Sequence, residues 1–188
     1  MVLDAADPGS FPALVRILAA GGVAIAPGDT MYGLIGIAPV AEGKLRAVKG
    51  RGEDKPFLRL LGHASWLGRI SDMPLPPRLA RYWPGPLTLV FPARDGGTAA
   101  VRVPDHPFLR QLLEALDRPL FSTSVNRAGQ QPLRTVREMR REMEDDVDAI
   151  FDDGDHPPGP PSTLLDLTRR PYVVLRQGAI QVPPADLE

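Results

Sequence analysis

Six cations fall within one short stretch of this chain, Lys44, Arg46, Lys49, Arg51, Lys55 and Arg59, against only Glu53 and Asp54. Guanidinium and ammonium groups on a segment flexed by Gly50 and Gly52 can meet the closely spaced oxygens of a polyphosphate with charge-assisted hydrogen bonds. The same composition also fits a solvated basic helix end and turn. A second stretch, Ser122, Thr123, Ser124 and Asn126, offers hydroxyls and an amide at the end of an apolar run, suited to a phosphate, a ribose or a carboxylate, or equally to a polar turn. Thr30 and Tyr32 can line a pocket or complete a turn, and Arg102 can clamp a carboxylate or pair with an acid of the protein. None of these hydroxyls has a histidine in motif relation to it, so none reads as an activated nucleophile.

Absences narrow the chemistry. The chain has no cysteine and only three histidines, His63, His106 and His156, without the spacing of a zinc motif, so no protein-ligated metal is expected. The sequence contains no Walker A loop, dinucleotide fingerprint, nucleophile elbow or His-Glu-x-x-His motif. The acidic pairs Asp145-Asp146 and Asp152-Asp153 sit in a run, 142–155, with eight acidic and no basic residues, which reads as a solvated face. With 22 Lys and Arg against 23 Asp and Glu the net charge is -1, so any anion site must be local. The start lacks the basic-then-apolar pattern of a secretion signal, and no stretch reaches membrane-spanning length, so the expectation is a cytoplasmic protein without membrane contact.

The elements that position these residues follow from apolar spacing. At 188 residues, 43% hydrophobic, one domain is expected over 1–188, with its core at about 10–180 and a tail at 181–188. A first helix is predicted from Phe11 to Ala20 with Ser10 as its N-cap, and Val23–Ala26 reads as a buried strand opening into the loop Pro27–Gly33. A helix over 40–48 precedes the cationic loop, and a strand over 57–61 follows it. Strands are predicted at 87–91, 99–103, 163–167 and 173–176, and a helix at 108–116. Leu120–Ser122 leads into the polar stretch, after which Thr135 and Glu138 form a capping box at a helix start. His156–Pro161, rich in Pro and Gly, reads as a mobile surface loop, and Trp83–Pro86 as stiff framework. Interleaved strands and helices imply an α/β fold with ligands at strand ends.

Six blocks in order resemble the YrdC-like family of threonylcarbamoyl-AMP synthases, from about Val23 to Ile180. They are APGDTMYGL (26–34), KGRGEDKPF (49–57), WPGPLTLVFPA (83–93), AVRVPDHP (100–107), STSVNRAGQQPLRTVREM (122–139), and PSTLLDLT with VLRQGAI (161–168 and 174–180). The resemblance implies the short, single-domain form of the family: a twisted mixed sheet with flanking helices around a deep cationic cavity. It implies an L-threonylcarbamoyladenylate synthase that takes L-threonine, bicarbonate or CO₂ and ATP, with Mg²⁺ carried by the nucleotide, and serves tRNA modification. Protein partners of the threonylcarbamoyl-transfer machinery follow from the same resemblance, as does tRNA or structured RNA as a further ligand.

Carried over by position, Lys49, Arg51 and Lys55 resemble the residues that hold the ATP phosphates, the first two in a catalytic role. Thr98, Ser124, Asn126, Arg134 and Arg176 resemble nucleotide contacts, and Thr30, Tyr32, Arg102, Ser122 and Ser162 the threonine side. Because Lys49 and Arg51 read as loop residues, replacing either by Ala is expected to remove turnover without disturbing the fold. The chain departs from the family pattern at Gly28, Gly52 and Val125, and at Leu60, where the threonine pocket often has a histidine. Two other readings fit a cationic cavity of this kind: an RNA-binding module, and a related carbamoyl-adenylate-forming carbamoyltransferase.

Overall fold

Short, fully buried apolar runs such as Val23–Ala26 are what a sheet covered on both faces requires, and such runs organise the molecule. The computed structural model describes residues 1–50, 52, 56–157 and 159–188. In chain order its elements are β1 (Val2–Asp4), α1 (Ser10–Ala19), β2 (Val23–Ala26), β3 (Gly33–Ile37), α2 (Glu42–Lys49), β4 (Leu58–Leu60), α3 (Pro77–Ala80), β5 (Leu87–Pro92), β6 (Thr98–Arg102), α4 (Pro107–Leu116), β7 (Leu120–Ser124), α5 (Val136–Met143), β8 (Ala149–Asp152), β9 (Thr163–Asp166) and β10 (Val173–Arg176). All ten strands join one mixed sheet in the order β1-β8-β2-β3-β7-β4-β6-β5-β9-β10. The pairs β1/β8, β8/β2, β4/β6 and β5/β9 are parallel and the others antiparallel. The α/β expectation holds, with the sheet larger than the sequence indicated.

Three strands, β1, β3 and β8, lay outside the sequence reading. Gly33–Ile37 pairs along its length with both β2 and β7, a cross-chain register that the two glycines in the run hide from periodicity. Ala149–Asp152 lies within the acidic run, yet Ala149, Ile150 and Phe151 are buried core residues. Four residues are too few for the alternation signal to stand out. The polar stretch after Leu120 is also strand: Ser122, Thr123 and Ser124 sit opposite Ile35, Leu34 and Gly33. At α1 the cap is Gly9, and Ser10 is a buried first helical residue without a side-chain capping bond. The Thr135–Glu138 capping box forms as predicted, each side chain accepting from the other's end of the turn.

Both segments beyond 10–180 are built into the fold. β1 pairs with β8 at one edge. At the other end Asp186 is buried and ion-paired with Arg81, and accepts from Tyr82 Oη at 2.8 Å, while Arg78 donates to Ala185 O at 2.6 Å. Tail residues Val182 and Leu187 join the apolar cluster of Trp83, Leu89, Phe91 and Tyr172. Trp83 acts as framework here, its indole N–H donating to Leu87 O at 2.7 Å. On the β2–β3–β7 side, one cluster (Ile25, Leu34, Phe57, Phe121, Met139) and another (Leu14, Leu18, Ile35, Leu113, Leu120) cover opposite faces of the sheet.

The residues just before the segment expected to be a mobile loop are tied down, and within that segment Gly159 and Pro161 are bonded to the loop after β2 and to Ala179. Tyr32 Oη donates to Gly154 O at 2.9 Å and accepts from Asp153 N at 3.0 Å. Asp155 Oδ1 accepts from Val136 N at 2.7 Å, at the start of α5, and Gly159 N donates to Thr30 O at 2.9 Å. The bonds from Tyr32 and Thr30 join Asp153, Gly154 and Gly159 to the loop after β2, a pairing across more than a hundred residues that composition does not reveal.

Candidate functional site

A cleft of about 620 Å³ opens along the sheet, lined by residues from β2, β3, β7, β4, β6, β5, β9 and β10. Register explains the floor. Ser122 sits opposite both Ile35 and Leu58, and Thr88 opposite Leu164, and all five line the cleft. The rim is the loop 27–32, together with Pro132, Pro161 and Arg176.

Arg102, at the end of β6, is 5% exposed and faces Asp29 of the rim loop. Its Nη1 donates to Asp29 Oδ2 at 3.0 Å, and Nη2 lies 3.0 Å from Oδ1. That second approach is an ion-pair contact outside hydrogen-bond geometry, so the buried Asp29 Oδ1 has no hydrogen-bond partner, and neither has the buried Arg102 Nε. Burial pulls the guanidinium below its ordinary pKa, against the neighbouring Asp29 charge, which favours the cation. Burial likewise lowers His106, the residue before α4, with Asp29 opposing.

Across the cleft, Arg176 donates from Nε at 3.2 Å and Nη2 at 2.9 Å to Ser162 O, and Ser162 Oγ is 2.8 Å from Thr88 Oγ1. The turn behind them is locked: a Cβ on Gly178 would come within 2.2 Å of Pro161 O, and Thr163 Oγ1 donates to Ile180 O at 2.5 Å while accepting from Gly178 N at 3.0 Å. Burial raises the Tyr32 phenol to about 12, so it stays protonated and can hold its bond to Gly154 O.

The predicted residues thus divide. Thr30, Tyr32, Arg102, Ser122, Ser124, Ser162 and Arg176 line the one cleft. Lys49 lies behind it. As the last residue of α2 it is 5% exposed, and its ammonium donates to Ser124 O at 2.5 Å, Ser124 Oγ at 3.1 Å and Asn126 Oδ1 at 2.5 Å. Its expected place on a surface loop is corrected: helix α2 extends to it, and the contacts from β7 bury it. Asn126 is buried in the same network, closed by Ser124 Oγ donating to Asn126 Oδ1 at 2.6 Å. Arg134 lines a neighbouring recess of about 370 Å³ with Met31, Tyr32, Leu133, Met139 and His156. Thr98 is exposed at the far end of β6 and lines neither space. Arg51 and Lys55 lie outside the described residues.

Of the departures from the family pattern, Gly28 lines the cleft, and a Cβ there would come within 2.8 Å of Met31 O, so the rim turn is closed to a depth that needs glycine. Leu60 and Val125 are buried in the apolar clusters and are not among the residues that line the cleft. Two polar lining residues, Asp29 and Thr88, lie in the blocks 26–34 and 83–93 but had no role assigned from the sequence. Each acquires its role from a partner more than seventy residues away, Arg102 and Ser162. Among the described residues, no helix is long and apolar enough to cross a membrane, and no three His, Cys, Asp or Glu side chains gather in a way that could hold a metal ion.

A mixed α/β sheet carrying arginines, hydroxyls and one carboxylate around a cleft at its strand ends has the groups to hold an anionic or zwitterionic small molecule. Comparison with known proteins narrows the class. The family model Sua5/YciO/YrdC, described as "Telomere recombination", matches residues 16–178. The chain is 31% identical over 169 residues to the threonylcarbamoyl-AMP synthase of Pyrococcus abyssi, covering 82% of this chain and 49% of that one. It is 36% identical over 168 residues to the threonylcarbamoyl-AMP synthase of Halorhodospira halophila, covering 79% of this chain and 87% of that one. The crystal structure of P. abyssi Sua5 complexed with L-threonine superposes with a TM-score of 0.85 at 26% identity, covering 95% of this chain and 57% of that one. The chain therefore spans about half the length of the P. abyssi relative, and it belongs to the Sua5/YciO/YrdC family.

Proposed function

We propose that this protein is an L-threonylcarbamoyladenylate synthase, an ATP-using nucleotidyltransferase. The observation that carries the reading is the assembly, in one cleft, of Arg102, Arg176, Ser122, Ser124 and Ser162, in a family with a member solved in complex with L-threonine. In this reading the amine of L-threonine loses a proton and takes up CO₂ from bicarbonate to form a carbamate. A carbamate oxygen attacks the α-phosphorus of ATP, the bond from that phosphorus to the β-phosphate bridging oxygen breaks, and pyrophosphate leaves with the electron pair. Threonylcarbamoyl-AMP remains. No acyl-enzyme is needed, which suits a site without an activated nucleophile; the work is positioning and neutralising charge.

Arg102, with Thr30, Tyr32, Ser122 and Ser162, would hold the amino acid, and Arg176, Ser124 and Arg134 the nucleotide. Lys49 acts through the groups that it binds, Ser124 and Asn126, as a positioning residue. The family pattern gives the phosphates to Arg51 and Lys55 as well, with Mg²⁺ arriving on the nucleotide as part of the substrate. The product would pass to adenosine in tRNA through protein partners in the cytoplasm, and the 1–188 chain would act as one domain. The test is incubation of the purified protein with Mg-ATP, bicarbonate and L-threonine, following pyrophosphate and the mass of the nucleotide product. Threonine- and bicarbonate-dependent threonylcarbamoyl-AMP is expected; ATP binding without that product would refute the reading and favour carbamoyl transfer or RNA binding.

A further inference from the structure

The cleft is short of one hydrogen-bond donor and one acceptor at the same place. Asp29 Oδ1 and Arg102 Nε are buried and have no hydrogen-bond partner, although the two side chains lie 3.0 Å apart and are 9% and 6% exposed. A buried ion pair that is incompletely hydrogen-bonded is costly: Oδ1 keeps only its charge contact with Nη2, and Nε has lost water without replacing it. A ligand that supplies an ammonium to the carboxylate and a carboxylate to the guanidinium removes both deficits at once. That combination, on adjacent atoms, is the α-amino-acid zwitterion. Among the described lining residues, Asp29 is the sole carboxylate, so it alone can pair with a ligand ammonium by charge.

We propose that Asp29 is the residue that selects for the amino group of the substrate, with Arg102 taking the carboxylate beside it. The inference rests on the amino-acid reading of the cleft and adds to it a specificity determinant. Asp29 does so by two effects of one charge. It attracts the ligand ammonium, and it repels a carboxylic acid that lacks one. After carbamoylation the nitrogen keeps one N–H, which Asp29 can still accept, so the same contact holds the carbamate for its attack on ATP.

The experiment compares binding of L-threonine with that of (R)-β-hydroxybutyrate, the same molecule without its amine, by calorimetry on wild type and on Asp29→Asn. Wild type is expected to prefer threonine by about tenfold to a hundredfold, the range for a hydrogen bond to a charged group. In Asp29→Asn the two affinities should converge, threonine weakening while the hydroxy acid gains. A purely structural role would weaken both ligands in parallel, and that result overturns the proposal, as does an unchanged preference. If wild type binds neither ligand, the amino-acid reading fails and the proposal falls with it; if wild type binds threonine and the variant keeps its preference, the proposal falls alone. Should Asp29→Asn fail to fold, Asp29→Glu decides. It keeps the charge but moves the oxygens by one methylene, and it should lower threonine affinity while leaving the hydroxy acid rejected; an unaltered threonine affinity overturns the proposal.

Discussion

The Lys49 ammonium stands 2.5 Å from Asn126 Oδ1 and 2.5 Å from Ser124 O, so a buried charge ties the end of helix α2 to the end of strand β7. Ala128 N adds a bond to Lys49 O at 2.8 Å. Lys49→Met keeps much of the volume but removes the ammonium from three acceptors, Ser124 O, Ser124 Oγ and Asn126 Oδ1. It should cost about 2 kcal/mol of stability in chemical denaturation, as well as turnover. A variant as stable as wild type would return Lys49 to the exposed role that the sequence suggested.

Thr88 has no expected contact with the nucleotide, but its hydroxyl sets the direction of Ser162 Oγ, 2.8 Å away, at a site where both are buried. Thr88→Val removes that hydroxyl at nearly constant volume. In the pyrophosphate assay the KM for threonine should rise about tenfold, with the KM for ATP unchanged, and Thr88→Ser should restore it. Parallel changes in both constants would show that Thr88 serves packing alone.

Gly178 is packed against Pro161 and Ser162, where an added Cβ would come within 2.2 Å of Pro161 O and 2.5 Å of Ser162 C. Gly178→Ala must push the turn away from backbone, not from a flexible side chain. The expected loss is about 2 kcal/mol in thermal or chemical unfolding, accompanied by weaker substrate binding because Ser162 and Arg176 move. Unchanged stability would show that the turn has room to relax.

Asp148 accepts from Val23 N at 2.7 Å and from Lys44 Nζ at 2.6 Å, joining the start of β2 to the approach to β8. Burial works to raise its pKa, but the bonds from Lys44 and Val23 prevail and hold it below the ordinary carboxylate value. A carboxylate depressed in the folded state stabilises above its unfolded pKa, and that contribution is lost as the pH falls through the folded value. Asp148→Asn should therefore cost about 1 kcal/mol near neutrality, limited by solvent screening, and progressively less below about pH 4. Denaturation midpoints across that range should converge; a constant gap would assign the effect to geometry instead of charge.

Strong local signals survived folding intact. The capping box at Thr135 and Glu138, the buried run Val23–Ala26 and the ends of α4 depend on neighbours within a few residues, and the sequence displays those neighbours directly. Seven of the predicted site residues converge on one cleft because their motifs lie at strand ends, where a covered sheet leaves space. Strands β1, β3 and β8 escaped because their length and composition carry little periodicity, and pairing partners define them.

By itself, then, the sequence determined the fold class, the family and the chemical types gathered at the site, since these reside in residue identity and short-range spacing. Tertiary structure alone decided how those groups are used. It buried Lys49 behind Ser124, placed Leu60 and Val125 in the core, and paired Asp29 with Arg102 and Thr88 with Ser162 across separations of 73 and 74 residues. The physical reason is that burial and hydrogen-bond satisfaction depend on which atoms meet in space, and sheet register between distant strands sets those meetings.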